Sequence, residues 1–260
     1  MKDKTLLRAW QIALLVAILA VWQISAAVST KAAFFFGDPV GVAGKLIDWF
    51  FIDRGIYLHL GVTLIETLLA FVIGTAIGLA VGLWLALAPR AAAICDPFLK
   101  AMNAMPRVIL APIFALWFGL GIASKVALAV TLVFFIVFFN VFQGVREVSP
   151  TLLANARMLG AGRRDLLRHV YLPSAMSWVF SSLHISVGMA FVGAVVGEYL
   201  GSARGVGYLI LQAEGSFDIL TVFAGIVVLT LCALVLDTLV GKAEKKLMRW
   251  QPKIGITEKI

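Results

Sequence analysis

The chain has 260 residues, of which 62% are hydrophobic and only 14% are charged, so it is far more apolar than a soluble domain. Its formal net charge of +8 comes mostly from Lys and Arg residues between apolar runs, which indicates membrane topology rather than a nucleic-acid-binding face. Several runs exceed the roughly 20 residues that a helix needs to cross a bilayer. The composition predicts an all-α integral membrane protein with a single transmembrane domain over residues 1–260.

Six apolar runs predict six transmembrane helices. The first follows Lys2, Lys4 and Arg8, and it is long for the apolar part of a signal peptide, so we expect an uncleaved span. A cleaved signal peptide is the alternative, because small residues follow at Ser25-Ala26-Ala27. The predicted spans cover residues of about 9–28, 56–88, 97–120, 126–145, 173–200 and 219–240.

Local signals refine three segments of this plan. Asp38-Pro39 is a helix cap and start, which predicts a short amphipathic helix through the aromatic residues 49–51 at the membrane interface. Pro106 and Pro112 predict a kink in the third span, and residues 119–125 are expected to form the turn into the fourth. Residues 201–217 are expected to form a polar, glycine-containing loop.

The second span carries two informative features. Gly74, Gly78 and Gly82 are spaced four residues apart, which leaves a groove along one helix face where another helix of the same subunit can pack closely. Glu66 is a carboxylate within the span, and such a group must be paired, face water or be protonated. It could line a pathway or make a polar contact with another helix.

The distribution of positive charge predicts the orientation. With six spans, both termini and the segments around residues 89–107 and 146–172 share one side, which collects 17 of the 22 Lys and Arg residues. The positive-inside rule therefore places both termini and the 146–172 segment in the cytoplasm.

The segment from Ser149 to Pro173 is a basic helix at this cytoplasmic face. Ser149 is a candidate N-cap, Pro150 occupies the first helical position, and Gly160-Ala161-Gly162 breaks the helix in two. A hydrophilic, basic helix between two apolar spans is expected to lie at the membrane surface and to contact a partner there.

The chain carries no motif for hydrolysing a nucleotide. Residues 41–46, GVAGKL, lack the glycine spacing and the Ser or Thr of a phosphate-binding loop. Cys95 and Cys232 are far apart and the three histidines are scattered, so no metal, cofactor or catalytic site is predicted. We do not expect this protein to be an enzyme. If it performs driven transport, the energy enters through a partner.

The cytoplasmic segment resembles the signature of permease subunits of bacterial binding-protein-dependent ABC importers. That signature is Glu-Ala-Ala, three residues, Gly, nine residues, Ile, one residue, Leu-Pro. Ala154-Asn155-Ala156, Gly160, Val170 and Leu172-Pro173 keep every interval, although Ala154 and Asn155 replace the usual glutamate and alanine. The runs at residues 110–121 and 196–210 are similar to permeases of the nitrate, sulfonate and taurine branch.

The resemblance implies an inner-membrane permease that forms a homodimer and imports a small solute, such as an organic or inorganic anion. It also implies a periplasmic solute-binding protein that delivers the solute and a cytoplasmic ATPase that receives the short helix in a groove. The implied ATPase-docking residues are Asn155, Ala156, Arg157, Gly160, Ala161, Gly162, Arg163 and Arg164. For the arginines, anchoring to anionic lipid headgroups is the alternative.

The resemblance places the solute pathway at the dimer interface, along spans three to five. Its candidate lining residues are Met189, Phe191, Glu198 and Glu66, for which helix packing is the alternative. A secondary transporter that uses Glu66 or His184 as a proton site is a competing function. A membrane-embedded enzyme or assembly factor is another, but it would require a polar catalytic cluster that the sequence does not display.

Overall fold

The computed structural model describes residues 2–247 and, within that range, all side chains except those of residues 2–5, 177, 179, 181, 244, 245 and 247. Twelve α-helices cover most of this range. In chain order they are α1 Lys2–Val28, α2 Thr30–Phe36, α3 Pro39–Ile47, α4 Ile56–Leu87, α5 Pro89–Ala104, α6 Ala111–Phe118, α7 Ile122–Arg146, α8 Pro150–Met158, α9 Arg163–Leu166, α10 Leu172–Leu200, α11 Val206–Gly215 and α12 Ile219–Leu247. Short π-helical turns follow α3 and α9, and a 3-10 turn, Arg107–Leu110, precedes α6.

Five helices in the described range are long and apolar enough to cross a membrane: α1, α4, α7, α10 and α12. The predicted third span is different. α5 and the segment Arg107–Phe118 are joined at an 87° bend, so the kink expected in the third span is a sharp break between two helices. Pro106 explains the break, because the preceding Met105 takes an extended conformation, as residues before proline usually do. The helix on the other side of the bend begins at Pro89, and Pro97 lies within it.

The bent pair nevertheless carries the chain from one end of the bundle to the other. Gly74 of α4 faces Val133 of α7 and Gly82 faces Val141, so residue numbers increase together and the two helices run parallel. The end of α4 and the start of α7 therefore lie at opposite ends of the bundle. Residues 89–118 must connect these ends, which makes this segment a sixth crossing.

The core of the bundle is formed by α4, α7 and α10, and glycines bring these helices together. A Cβ atom added at Gly78 would lie 2.9 Å from Cβ of Val137, and one at Gly193 of α10 would lie 2.6 Å from Cα of Ala129. Contact this close replaces the hydrophobic driving force that is absent in lipid with dispersion between backbones. The glycine groove predicted on the second span is confirmed, and it is used within the chain.

The ends of the bundle are defined by two helical segments. α8 and α9 follow the end of α7, and we refer to this side as the α8 end; α11 connects the end of α10 to the start of α12, and we refer to the other side as the α11 end. Near its own end, α1 packs on the start of α12, where the rings of Trp22 and Phe223 are 5.4 Å apart. The helix predicted to start at Asp38-Pro39 is present as α3, with Asp38 accepting a 2.8 Å hydrogen bond from the amide of Gly41. It ends at Ile47, and residues 49–51 lie in the π-helical turn that follows. Its interfacial position stays a prediction.

The loop predicted over residues 201–217 was wrong, because most of it forms α11. After the glycines at its start, the segment becomes rich in helix-forming residues, and its buried positions Val206 and Ala213 form an apolar face. Ile210 extends this face against α12, where a Cβ atom at Gly225 would come within 2.5 Å of its Cγ1. The glycines were overvalued as loop signals, since Gly205, with a φ of 108°, is the one glycine of this segment in the left-handed region.

Candidate coupling segment and buried polar cluster

The basic segment at the α8 end folds as two short helices separated by a turn. α8 begins with Pro150 at its first position, as predicted, although the Ser149 side chain makes no capping hydrogen bond. α8 ends at Met158, and α9 begins at Arg163, so the break predicted at residues 160–162 is confirmed.

The break has the geometry of a Schellman motif centred on Gly160. The amide of Gly160 donates to the carbonyl of Arg157, and the amide of Ala161 donates to the carbonyl of Ala156, both over 3.0 Å. Gly160 has a φ of 88°, in the left-handed region that is unfavourable for residues with a Cβ. The four-residue interval between Ala156 and Gly160 in the family signature therefore reflects the way this helix stops.

Asp165 fixes the start of the second helix. Its Oδ2 accepts a 3.0 Å hydrogen bond from the amide of Gly162, and its carbonyl oxygen lies 3.1 Å from Nδ1 of His169. A carboxylate in the first turn of a helix is also favoured by the helix dipole. The sequence interpretation did not single out Asp165, although its position three residues after the glycine is the spacing of a capping residue.

The predicted docking residues lie on the surface of this segment. Most are exposed, with Ala156 and Ala161 half-buried; the exposed ones are Asn155, Arg157, Gly160, Gly162, Arg163 and Arg164. At the tip between the arginines stand two apolar side chains that the sequence interpretation missed, Met158 and Leu159, which are 79% and 89% exposed. Their exposure could have been expected from the sequence, because Met158 and Leu159 are the last residues before the glycine at which the helix ends.

The segment is attached to two spanning helices of the core. The Ser174 hydroxyl, in the first turn of α10, donates a 2.8 Å hydrogen bond to the carbonyl of Gly144 near the end of α7. Leu166 is buried, and Tyr171 packs against the core cluster formed by α4, α7 and α10. The segment is therefore joined to the ends of α7 and α10 by the chain and by these contacts.

Three of the four candidate pathway residues are buried inside the chain. Glu66, Phe191 and Glu198 are at most 7% exposed, and Met189 is half-buried. Their burial gives them packing or polar contacts within one subunit in this conformation, so it does not favour a pathway role. Glu66 lies on α4 three residues after Thr63, whose hydroxyl hydrogen-bonds to Glu198 of α10, and its role in a pathway or a polar helix contact stays a prediction.

Glu198 is at the centre of a buried polar cluster towards the α11 end. One carboxylate oxygen accepts a 2.6 Å hydrogen bond from the Thr63 hydroxyl, and the other accepts a 2.8 Å hydrogen bond from the amide of Gly207. Thr63 in turn accepts from the amide of Val206 over 3.1 Å. The cluster therefore joins α4 and α10 to the start of α11.

Lys125 completes this cluster, and its position corrects the sequence interpretation. The residue was expected in a turn outside the membrane, but it lies in the first turn of α7 and is only 1% exposed. Its ammonium group donates to the carbonyls of Leu120 and Gly121, the second over 2.9 Å, and interacts electrostatically with Glu66 and Glu198. Those contacts explain how a cation is tolerated there.

The remaining polar residue discussed in the spans, His184, contacts a carboxylate. Its Nδ1 lies 2.7 Å from Oδ1 of Asp237 and links α10 to α12. Within residues 2–247, leaving aside the side chains that are not described, no group of three or more His, Cys, Asp or Glu residues could hold a metal ion. Cys95 and Cys232 are free thiols.

Comparisons with known proteins agree on one family. Residues 74–249 match the family model described as binding-protein-dependent transport system inner membrane component. The chain is 34% identical to the riboflavin transport system permease protein RibX of Chloroflexus aurantiacus, over 91% of this chain and 88% of that protein. It is 30% identical to the putative aliphatic sulfonates transport permease protein SsuC of Bacillus subtilis, over 90% of this chain and 84% of that protein.

The fold is also found in a solved transporter. A chain from an inward-facing structure of the MetNI methionine ABC transporter superposes with a TM-score of 0.65 at 18% sequence identity, covering 78% of this chain and 98% of that chain. At this identity the likeness concerns the fold alone.

Proposed function

Because the chain belongs to the family of binding-protein-dependent transport system inner membrane components, we propose that two copies of it form the translocation pathway of an ATP-driven importer. The protein is a multi-pass permease of a bacterial ABC importer, and the ATPase of such a system is a separate subunit. The observation that carries the proposal furthest is the exposed segment Pro150–Leu166, which is attached to two core helices and presents both cations and apolar side chains.

The proposed partner of this segment is a cytoplasmic ATPase subunit. Met158 and Leu159 are the apolar anchors, because side chains this exposed lose unfavourable contact with water when they enter a groove. Arg157, Arg163 and Arg164 surround them and supply polar contacts. Anionic lipid headgroups would attract the arginines as well as an ATPase would. They would not explain why the apolar side chains of Met158 and Leu159 are exposed beside the arginines.

The proposed mechanism is alternating access driven by this contact. ATP binding and hydrolysis move the partner, and the hydrogen bond from Ser174 to Gly144 and the burial of Leu166 transmit that movement to the core helices. The Schellman turn at Gly160 keeps the two short helices in a fixed relation. The segment then acts as a rigid lever.

In the proposed orientation, the α8 end and both termini face the cytoplasm of the inner membrane. The excess of Lys and Arg in the connecting segments on that side supports this orientation. The α11 end then faces the periplasmic binding protein, with Arg204 exposed there. The pathway residues inferred from the sequence remain proposals, and Met189 is the one of the four that is not fully buried in a single subunit.

The proposed solute is a small anion such as a sulfonate, nitrate or carboxylate. The name of the SsuC relative supports this class. The name of the RibX relative supports a second candidate, a flavin. A secondary transporter that uses Glu66 as its proton site is not favoured, because family membership assigns an ATP-driven system and Glu66 is buried against Glu198.

A pull-down tests the ATPase contact. Tagged full-length protein is purified from its own host in mild detergent, and co-purified subunits are identified by mass spectrometry. We expect an ABC ATPase that is retained by wild type and lost from Arg163→Glu/Arg164→Glu. Arg204→Glu is the control, which makes the same type of substitution once at the α11 end. Retention of the ATPase by the double variant, or its loss from the control as well, would contradict the proposed docking site.

Uptake by reconstituted vesicles tests the class of transporter and the solute together. Vesicles containing the permease, the ATPase and the binding protein are supplied with ATP and with a radiolabelled sulfonate or riboflavin. We expect ATP-dependent accumulation of the sulfonate. Accumulation of riboflavin instead would show that the solute is a flavin and not an anion. Proton-driven uptake by vesicles containing this chain alone would contradict the proposal of an ATP-driven importer.

A further inference from the structure

The buried cluster of Glu66, Glu198 and Lys125 contains two carboxyl groups and one amine where water does not reach. All three residues are at most 1% exposed. They come from three different core helices, α4, α10 and α7. Charges placed this deep are tolerated only when they are paired or neutralised. The cluster therefore needs an explanation that accounts for its total charge.

The site holds two carboxyl groups but only one amine. Glu66 lies three residues after Thr63 on α4, and Thr63 donates to the Glu198 carboxylate of α10. If both carboxyl groups were ionised, the buried site would carry one unbalanced negative charge, which a low-dielectric interior disfavours. At least one of the two therefore carries a proton in the folded protein.

The surrounding hydrogen bonds show which group carries it. Both oxygens of Glu198 accept hydrogen bonds, one from the Thr63 hydroxyl and one from the Gly207 amide, as expected for an ionised carboxylate. Oε2 of Glu66 is buried and has no hydrogen-bond partner among the described residues. A negative charge on that oxygen would be uncompensated, whereas a neutral acid leaves only a weakly polar oxygen unpaired.

We propose that Glu66, Glu198 and Lys125 form a proton-binding site in which Glu66 is a neutral acid and Glu198 is an ionised carboxylate. With one proton bound, the negative charge of Glu198 balances the positive charge of Lys125, and the site as a whole is neutral. Glu66 is then the proton-holding group, Glu198 is the carboxylate that accepts from Thr63 and Gly207, and Lys125 is the counter-charge. Neutrality matters because the interaction between charges is weakly screened in a low-dielectric interior.

The site attaches a specific segment to the core. The amides of Val206 and Gly207 donate to Thr63 and Glu198, and Nδ1 of His59 lies 3.1 Å from the amide nitrogen of Gly205. A Cβ atom at Gly205 would overlap the Glu198 carboxyl group, so the backbone there approaches as closely as glycine allows. These contacts hold the start of α11 against α4 and α10. His59 and Lys125 are the other titratable groups facing this region from the helices packed around it.

Infrared spectroscopy of the purified full-length protein tests the proton directly. A protonated carboxylic acid has a C=O stretching band that ionised carboxylates lack, and exposed Asp and Glu side chains are ionised at neutral pH. We expect one buried acid per chain in wild type at neutral pH and loss of its band in Glu66→Gln. Glu147→Gln makes the same chemical change at an exposed position of the same chain and should leave the band intact.

Lys125→Met tests the counter-charge. Without the ammonium group, a second proton is needed for neutrality, so the acid band should gain intensity rather than disappear. The absence of an acid band in wild type, or its persistence in Glu66→Gln, would overturn the proposal, and an unchanged band in Lys125→Met would overturn the role of Lys125. Glu66→Gln replaces the neutral acid with a neutral group of the same shape, so this variant is expected to fold. The proton on Glu66 is therefore tested by wild type and Glu66→Gln alone, even if Lys125→Met does not fold.

Discussion

Gly144 of α7 lies directly against the indole ring of Trp178 of α10. A Cβ atom at position 144 would come within 2.6 Å of the ring atom Cγ, and the next helical turn of α10 towards its start holds Ser174, which donates to the Gly144 carbonyl. This contact joins the two core helices at the point where the segment α8–α9 is attached. Close packing and the attachment of the coupling segment therefore depend on the same glycine.

Gly144→Ala is expected to destabilise the protein. The added methyl group must displace the indole, and overpacking of this kind costs about 1–3 kcal/mol. Alanine is intrinsically favoured over glycine in a helix by about 1 kcal/mol, so the net loss is smaller than the steric cost alone. Thermal unfolding in detergent measures it as a lower midpoint.

Gly188→Ala is the matched control for this substitution. Gly188 lies within α10, and a Cβ atom there would meet nothing within 4 Å. The same chemical change should raise the unfolding midpoint slightly or leave it unchanged. Equal destabilisation by both substitutions would show that the contact with Trp178 is not the cause.

Gly160→Ala is expected to weaken coupling without altering the core. Alanine at a φ of 88° costs about 1 kcal/mol or more, and a Cβ atom at this position meets nothing within 4 Å, so backbone strain is the whole effect. The tip of the segment should then lose its fixed geometry, which ATP-driven uptake in vesicles would report as a lower rate. The unfolding midpoint of the whole protein should change little.

Gly162→Ala is the comparison for this prediction. Gly162 lies two residues further along the same turn but has a φ of −79°, which alanine adopts without strain. It should lose less transport than Gly160→Ala, because it carries no backbone strain. Equal losses at positions 160 and 162 would argue against the Schellman turn as the reason for glycine at position 160.

Much of the fold followed from local signals in the sequence. The cap at Asp38-Pro39 predicted α3, and the stripe of Gly74, Gly78 and Gly82 predicted close helix packing, because a helix cap and a small-residue spacing depend on a few neighbouring residues. The 87° bend after Ala104 could be expected only as a kink, since its angle is set by packing with other helices.

The buried cluster shows what local signals leave out. Lys125 follows a pair of glycines and precedes an apolar run, so it looks like a residue of an exposed turn. Its burial depends on carboxyl groups 59 and 73 positions away in the chain, at residues 66 and 198. The exposed tip at Met158 and Leu159 was missed for a related reason, because an apolar pair beside a helix in a membrane protein is usually assigned to packing.

Leu159→Ser is expected to weaken binding of the ATPase partner. Leu159 is 89% exposed in this chain, and burying a leucine contributes about 1.5–3 kcal/mol, so its removal corresponds to a loss of roughly tenfold or more in affinity. Titration of the purified ATPase onto the detergent-solubilised permease measures this change. The unfolding midpoint should not move, since little intramolecular contact is lost.

Ala154→Ser is the control for the anchor, because it adds the same hydroxyl group to an exposed position of α8 without removing a large apolar side chain. It should bind nearly as wild type does. Unchanged affinity of Leu159→Ser would contradict the role of Leu159 as an anchor and would leave the arginines as the main contacts.

Asp218 stabilises the start of α12, and its substitution predicts a defined pH dependence. Its carboxylate accepts hydrogen bonds of 3.1 Å from the Thr221 amide and 2.6 Å from the Thr221 hydroxyl. Although partial burial acts to raise the pKa of Asp218, these hydrogen bonds and the charge of Lys45 outweigh it and hold the pKa below the ordinary value of 3.8. Asp218→Ala removes the cap and should cost about 1 kcal/mol of stability at neutral pH.

Asp218→Asn distinguishes the effect of the negative charge from the effect of the helix cap, because asparagine keeps an acceptor for the Thr221 amide but cannot ionise. When folding lowers the pKa of a carboxyl group, the ionised group stabilises the folded protein. This stabilisation is complete at a pH above the pKa of the unfolded state, and it is lost as the pH falls through the pKa of the folded state. The difference in unfolding midpoint between wild type and Asp218→Asn should therefore be constant near neutral pH and shrink as the pH falls below 3.8. Other carboxylates titrate equally in both proteins and cancel in this difference. A difference that grew on acidification would have the wrong sign and would exclude Asp218 as an ionised cap.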